Sequence, residues 1–203
     1  GVYLFFAISG FILALPFFKH HVGDGKKVSI KHFYLRRLKR LEPPYLIILT
    51  GMFIMLLVTE KTFHFGEQIQ HYFASFFYVH NAIYQKWSTI NPVAWSLEIE
   101  VQFYLMVPFL CMLFMKATKK WRLPILIVVL ISSTWLSLQY LPFGTLAGFF
   151  QYFMAGVICA ELYVQKHESK LPRTVIDVLG IIGFVAMFYL EMDKSRAWLP
   201  LCI

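Results

Sequence analysis

The segment WSLEIEVQFY, residues 95–104, opens an apolar run over residues 93–115 that is long enough to cross a bilayer as a helix. Two carboxylates and an amide lie in the first half of this run, on Glu98, Glu100 and Gln102. A charge in hydrocarbon costs about 2.5–3.5 kcal/mol on insertion scales, so such groups face the interior of a helix bundle or a water-filled cavity. The segment therefore predicts a membrane-spanning helix that carries a functional site.

Either of the two glutamates could serve that site. Two positions on a helix differ by about 200° of rotation, so Glu98 and Glu100 cannot share one face. Either carboxylate could instead lie near the lipid headgroups and reach water, and Glu98 is the closer of the two to the end of the run. The residues alone leave open which carboxylate serves the site.

The composition of the chain is that of a polytopic membrane protein. Of its 203 residues, 59% are hydrophobic and 15% are charged, whereas about a quarter of a soluble domain is charged. Six full spans and the start of a seventh are predicted, at residues 2–18, 43–59, 93–115, 124–141, 145–165, 174–192 and from 198 onward. Period-2 alternation is absent, so the expected fold class is an all-α transmembrane helix bundle. Both ends of the chain lie in apolar runs, which predicts a single but partial domain over residues 1–203.

The basic residues predict how the spans are oriented. Most of the 19 Lys and Arg residues fall in three connections, at residues 19–42, 116–123 and 166–173. The positive-inside rule places these connections in the cytoplasm. The net charge of +8 thus reflects membrane topology, and the lipid bilayer, not nucleic acid, is the expected partner. The middle of the outer connection, residues 71–84, is aromatic but too short to cross, so it is expected to be interfacial or re-entrant.

The first cytoplasmic connection contains a pair of arginines at helical spacing. Arg37 and Arg40 are three positions apart and project to the same side of a helix. Planar guanidinium groups bind phosphate with two hydrogen bonds, so the pair could hold a nucleotide-containing donor at the membrane surface. The alternative is a positively charged anchor that contacts anionic lipid. Pro43 and Pro44 follow, and they are expected to form the first turn of the second span.

Other polar residues in the chain predict structural roles. The small pair Ser9 and Gly10 indicates close helix packing, and Glu161 is expected to pair with a Lys or Arg. Three histidines of the outer connection are expected to be surface residues, neither ligands nor bases: His64, His71 and His80. Three cysteines lack CxxC or Cys/His spacing and indicate neither a disulfide framework nor a metal site: Cys111, Cys159 and Cys202.

Three stretches of the sequence carry a more specific pattern. They are GVYLFFAISGF at residues 1–11, FYLRRLKRLEP at residues 33–43 and WSLEIEVQFYL at residues 95–105. In order and spacing they resemble GVxLFFxISGF, FxxRRxxRIxP and WSLxxExQFYL, the signatures of the membrane acyltransferase 3 family. The resemblance covers most of the chain, and the last 60 or so residues contribute little to it.

The resemblance implies a multi-span enzyme that moves an acyl group, usually acetyl from acetyl-CoA, to a hydroxyl of a glycan or glycolipid. Acyl-CoA would be a co-substrate, with no bound cofactor and no metal. Donor binding would fall on Arg37 and Arg40, and the catalytic carboxylate would be Glu100. Glu98 stands where the signature usually has a small residue. Further candidates within the same signature are Glu98, Trp95, Ser96 and Tyr104.

The resemblance also implies a catalytic histidine in a span that would precede residue 1. That histidine would deprotonate the acceptor hydroxyl, while Glu100 would orient it or help to move the proton. The chain alone is therefore expected to be inactive, and the full-length protein to lie in a bacterial cytoplasmic membrane. The alternative function is a transporter or flippase for a lipid-linked glycan, with Glu100 as a proton relay. The paired repeats and interrupted helices that are typical of transporters are not visible in the sequence.

Overall fold

The computed structural model describes residues 1–23, 25–59, 65–139 and 144–166. Within these ranges the chain forms seven α-helices and one short 3-10 turn, at Pro92–Ala94. The helices are α1 (Val2–Val22), α2 (Ile30–Thr59), α3 (Phe65–Phe76), α4 (His80–Tyr84), α5 (Trp95–Lys116), α6 (Lys119–Gln139) and α7 (Leu146–Lys166). Gly1–Val164 forms one compact unit.

Five of these helices, α1, α2, α5, α6 and α7, are long and apolar enough to cross a membrane. They correspond to the first five predicted spans, and they confirm the all-α polytopic bundle. The spans predicted at residues 174–192 and from residue 198 lie outside the described residues. The described part of the chain contains no β-strand.

Helix α2 differs from the prediction at its start. It is one helix of 30 residues, about 45 Å long, and it runs through Pro43 and Pro44 without a break. The expectation that these prolines begin a helix is wrong. The turns before them are held against the bundle, because Phe33 is buried and its ring lies 5.4 Å from that of Phe17 on α1. Neighbouring helices and local adjustment let a membrane helix tolerate proline.

The core lies where α1, α5 and α7 meet. The rings of Phe6, Phe103 and Phe153 are fully buried and stack in series, with centroids 4.7 Å and 4.1 Å apart. Gly10 lies directly against the backbone of Phe153, and Gly156 lies directly against that of Ala7. A side chain at either glycine would collide with a carbonyl group. The close packing predicted for the small pair in α1 is therefore observed, and it sets the position of the rest of α1 beside α5.

The end of α1, the start of α6 and the end of α7 meet at one end of the bundle, the basic end. There the Lys19 amine lies 5.5 Å from the ring of Tyr163, so α1 and α7 end side by side. Arg122, in the first turn of α6, forms a buried ion pair with Glu161 on α7, with 3.0 Å between Nη1 and Oε1. The pairing expected for Glu161 is thus observed, which removes an uncompensated charge from the apolar interior.

Helices α3 and α4 lie at the opposite end, as a segment that does not span. They contain 12 and five residues, too few to cross a bilayer. The Tyr45 hydroxyl on α2 donates to the carbonyl of Ser75 at 2.8 Å, and the Gln102 amide on α5 donates to the carbonyl of Tyr78 at 2.8 Å. The segment is therefore docked on two spanning helices, in agreement with the predicted interfacial or re-entrant connection.

Candidate functional site

Glu100 is the buried carboxylate at the centre of the candidate site. Its side chain is 4% exposed, and two hydroxyl groups donate to its Oε1 atom. One is the Ser9 hydroxyl on α1, at 2.9 Å, and the other is the Tyr104 hydroxyl one turn further along α5. Residues four apart on a helix lie on one face, so α5 itself supplies the second donor. The two hydrogen bonds hold the carboxylate in one orientation.

Glu100 faces a cavity of about 200 Å³ between α1, α2 and α5. Its polar lining consists of Ser9, Arg37, Arg40, Glu100 and Tyr104. The second carboxylate oxygen, Oε2, accepts no hydrogen bond from the residues that the structure describes. It is the oxygen that remains available to a ligand or to another catalytic group.

Arg37 on α2 contacts the middle of α5. Its guanidinium carbon is 5.5 Å from the centroid of the Tyr104 ring, a cation–π arrangement. Tyr104 is nine residues after the first residue of α5, or about 14 Å along the helix axis. The neighbouring Tyr34 hydroxyl donates to the carbonyl of Leu105 at 2.8 Å, which fixes this part of α2 against α5. The guanidinium group of Arg37 is therefore level with the middle of α5.

A second and larger cavity, of about 1060 Å³, adjoins the first at the basic end. Arg37, Arg40 and Ile12 line both cavities. The remaining basic residues of the larger cavity are Lys19, Lys26, Lys27, His32 and Arg36. The two arginines therefore stand where a basic chamber meets the chamber of Glu100. This arrangement would let an anionic ligand reach a buried carboxylate, because the basic lining offsets the charge of the ligand along its path.

Glu98 has a different environment, on the other side of α5. Its side chain is 5% exposed, and its Oε1 accepts a hydrogen bond of 2.9 Å from the backbone N–H of Asn81. That N–H belongs to the first turn of α4, where a negative group stabilises the helix. Glu98 thus ties α4 to α5 and lines neither cavity. The structure separates the two glutamates, as their rotation on the helix predicts, and it brings only Glu100 to the arginines.

Trp95 and Ser96 lie at the start of α5 and line neither cavity. The Trp95 ring packs in an aromatic cluster, with centroids 5.3 Å from Trp87 and 5.4 Å from Phe149. Ser96 is half-buried. The packing of Trp95 stabilises the start of the helix that carries Glu100, and neither residue lines the cavity of that carboxylate.

His71 and His80 are buried, so the expectation that they are surface histidines is wrong. They are 2% and 0% exposed, and His71 Nδ1 lies 3.0 Å from His80 Nε2. Burial lowers the pKa of both imidazoles, so both favour the neutral form. The chain reverses at Tyr78, whose φ of 57° is in the left-handed region, and this turn brings the two rings together. A periodic pattern does not reveal such a turn at a tyrosine. His64 lies outside the described residues.

Within the described ranges, no group of three or more His, Cys, Asp or Glu side chains is placed to hold a metal ion. Cys111 and Cys159 are free thiols, the first buried and the second exposed. Cys202 lies outside the described residues. Ser9 is the contributor to the site that sequence reasoning missed, because it was assigned to packing alone and its partner is 91 positions away.

The fold and the site together define a polytopic membrane protein whose helices enclose a carboxylate beside two arginines, at the inner end of a basic chamber. The chain belongs to the acyltransferase 3 family, since the family model described as an acyltransferase domain matches residues 1–201.

Curated relatives are found among bacterial O-acetyltransferases. The chain is 28% identical to the peptidoglycan O-acetyltransferase OatA of Listeria monocytogenes, over 92% of this chain and 33% of that protein. It is 27% identical to the O-acetyltransferase OatA of Staphylococcus aureus, over 97% of this chain and 36% of that protein. The chain thus spans about a third of the length of these relatives. No solved structure matches it.

Proposed function

We propose that this chain is the membrane domain of an O-acetyltransferase, which moves an acetyl group from acyl-CoA on the cytoplasmic side to a hydroxyl of a glycan. The observation that carries the proposal is the shared cavity of Glu100, Arg37 and Arg40. Family membership and the named activities of the relatives support the reaction class. One relative is named as a peptidoglycan O-acetyltransferase, which supports a glycan acceptor.

The donor side of the proposal rests on charge. Coenzyme A carries several phosphate charges, and the larger cavity is lined with basic groups, including those of the α1–α2 connection at the basic end of the bundle. The positive-inside rule supports a cytoplasmic position for that end. Arg37 and Arg40 contact the donor where the two cavities meet. A guanidinium remains charged at any physiological pH and donates in a fixed planar geometry, which suits this task better than an amine.

The chemical role of Glu100 follows from how it is held. In the transfer, the acceptor oxygen forms a bond to the thioester carbon, the carbon–sulfur bond breaks, and the hydroxyl proton ends on the thiolate of coenzyme A. Ser9 and Tyr104 occupy Oε1, so Oε2 is the atom that orients the base or receives the proton. We propose that the base is a histidine, as the family resemblance implies. The nearby arginines stabilise the negative charge that develops as the thioester is attacked.

The proposal is tested in membranes that contain the protein at its full natural length, with radiolabelled acetyl-CoA and a crude glycan fraction as acceptor. Glu100→Gln and Arg37→Ala are compared with the wild type, and Glu98→Gln is the matched control, since it alters a neighbouring buried glutamate outside the cavity. We expect label in glycan from the wild type and the control. A lost proton-transfer group reduces the rate by about 10²–10⁴-fold, and we expect a loss of this size for Glu100→Gln.

Two outcomes would contradict the proposal. Wild-type amounts of labelled glycan from both Glu100→Gln and Arg37→Ala would show that these residues do not form the active site. Absence of transfer by folded wild-type protein, over a broad panel of donors and acceptors, would show that the protein is not an acyltransferase of this kind. Proton-coupled movement of a lipid-linked glycan by the same protein would then identify a transporter.

A further inference from the structure

The larger cavity extends away from Glu100, and its charge is distributed unevenly along it. Arg37 and Arg40 stand at the junction with the smaller cavity. Four other permanently basic residues line the larger cavity alone: Lys19, Lys26, Lys27 and Arg36. None of the described residues that line it is acidic. This outer part of the cavity is therefore suited to bind an anionic group of the ligand that lies far from its reacting end.

The fold places the two lysines of the α1–α2 connection at this outer part. Helix α1 ends at Gly23, whose φ of 85° is left-handed and whose N–H closes the last turn. The chain then folds back, because Gly25 lies against the backbone of His20 and Lys19, at a distance where an added Cβ would be only 3.0 Å from the His20 nitrogen. After this close return, Lys26 and Lys27 line the larger cavity together with Arg36 on α2.

An acyl-CoA molecule has its charges far from its reacting atom. The thioester lies at one end of the long pantetheine arm, and the diphosphate and the ribose 3′-phosphate lie at the other end. Arg37 contacts the ring of Tyr104, whose hydroxyl binds Glu100. A thioester placed at Glu100 therefore occupies the region of Arg37, and the phosphates of the same molecule fall further out, in the larger cavity.

We infer that Lys26, Lys27 and Arg36 form a phosphate subsite that recognises the nucleotide end of the donor, with the 3′-phosphate as the group that it distinguishes. This inference rests on the proposed function. Guanidinium and ammonium groups both make charge-assisted hydrogen bonds to phosphate. The headgroup of an anionic lipid presents the same phosphate chemistry, so the test must separate the two sources.

The test compares acetyl-CoA with acetyl-3′-dephospho-CoA as donors for the full-length protein in phosphatidylcholine nanodiscs. For the wild type we expect a KM about tenfold higher, or more, for the dephospho donor, because charge-assisted hydrogen bonds are lost. The double variant Lys26→Ala/Lys27→Ala should raise the KM for acetyl-CoA by a similar factor, with an unchanged kcat, and should leave the KM for the dephospho donor nearly unaltered. Lys31→Ala/Lys39→Ala is the matched control, since both lysines are exposed in the same basic stretch and line neither cavity. The control should behave as the wild type.

Binding of adenosine 3′,5′-bisphosphate, measured by calorimetry, examines the subsite without turnover. We expect the wild type and Glu100→Gln to bind it equally and the Lys26→Ala/Lys27→Ala variant to bind it at least tenfold more weakly. Loss of transfer without loss of this binding would count against the proposed function and not against the subsite. The subsite is overturned if the wild type has the same KM for the two donors. It is overturned as well if Lys26→Ala/Lys27→Ala and Lys31→Ala/Lys39→Ala raise the KM for acetyl-CoA equally. It is also overturned if the effect appears only when phosphatidylglycerol is present, since the occupant would then be a lipid.

Discussion

The Ser9 hydroxyl and the Glu100 carboxylate are joined by a 2.9 Å hydrogen bond that links α1 to α5 across 91 positions of sequence. Both residues are buried, at 8% and 4% exposure. The backbone contact of Gly10 with Phe153 sets the neighbouring turn of α1, so this hydroxyl has little freedom to move away. The bond makes α1 part of the candidate site, although α1 carries no charged group there.

Ser9→Ala should lower kcat by about 10- to 100-fold, because a hydrogen bond to a charged group contributes about 1.5–3 kcal/mol and each 1.36 kcal/mol is a factor of ten in rate. KM for the donor should change little, and Ser9→Thr should restore much of the rate, since it keeps the hydroxyl. Ser132→Ala is the control, because that hydroxyl bonds only within α6. A purely structural role for Ser9 would instead lower the amount of folded protein and leave kcat per folded molecule unchanged.

Substitutions of Glu98 should affect the stability of the protein, whereas substitutions of Glu100 should affect its activity. Glu98→Ala leaves the buried N–H of Asn81 without its partner, which costs about 1–3 kcal/mol, so unfolding of the purified protein should occur at a lower temperature. Glu98→Gln keeps an oxygen acceptor, and it should retain transfer while Glu100→Gln loses it. Equal loss of transfer in Glu98→Gln and Glu100→Gln would show that both carboxylates serve the reaction.

The stability of the segment formed by α3 and α4 should depend on pH through His71 and His80. Burial, together with the nearby charge of Lys86, lowers the pKa of both imidazoles in the folded state. Glu67, 3.9 Å from His71, opposes this shift only in part. The two neutral imidazoles therefore contribute fully to the stability of the folded state above the ordinary histidine pKa of about 6.5. This contribution is lost as the pH falls through the lowered pKa values of the folded state.

This dependence can be measured as the Tm of the purified protein between pH 8 and pH 5. The wild-type Tm should fall towards pH 5, and His80→Gln should show a smaller fall over the same range. His21→Gln, which alters an exposed histidine of α1, should follow the wild type. A wild-type Tm that is the same at both ends of the range would contradict the assignment.

Gly156→Ala should destabilise the bundle, because the added methyl group would collide with the backbone of Ala7 on α1. Overpacking of this kind costs about 1–3 kcal/mol or more. Gly51→Ala is the matched control: no atom lies within 4 Å of a Cβ added there, and alanine is the better helix former by about 1 kcal/mol. Unfolding in a denaturing detergent should therefore occur earlier for Gly156→Ala and no earlier for Gly51→Ala. The reverse order would show that α1 and α7 are not in close contact.

Much of the fold could be predicted from local properties of the chain. The length of each apolar run determines where a helix can cross a bilayer, and the five spanning helices correspond to five such runs. The position of Pro43 and Pro44 misled the prediction of α2. A proline indicates a helix start only when no neighbour supports the turns before it, and Phe33 receives that support from Phe17 on another helix.

The site could be predicted in part. Helical rotation alone shows that Glu98 and Glu100 face different ways, and the family resemblance assigns Arg37, Arg40 and Glu100. The packing of α1 and α2 against α5 decides which carboxylate lies beside the arginines, and it also brings Ser9 to Glu100. In the same way, the turn at Tyr78 decides that His71 and His80 meet. Hydrophobic periodicity reports which face of one helix is apolar, because it depends on neighbours along the chain. It carries no information about which distant hydroxyl or imidazole that face will contact, because that depends on how separate helices pack in three dimensions.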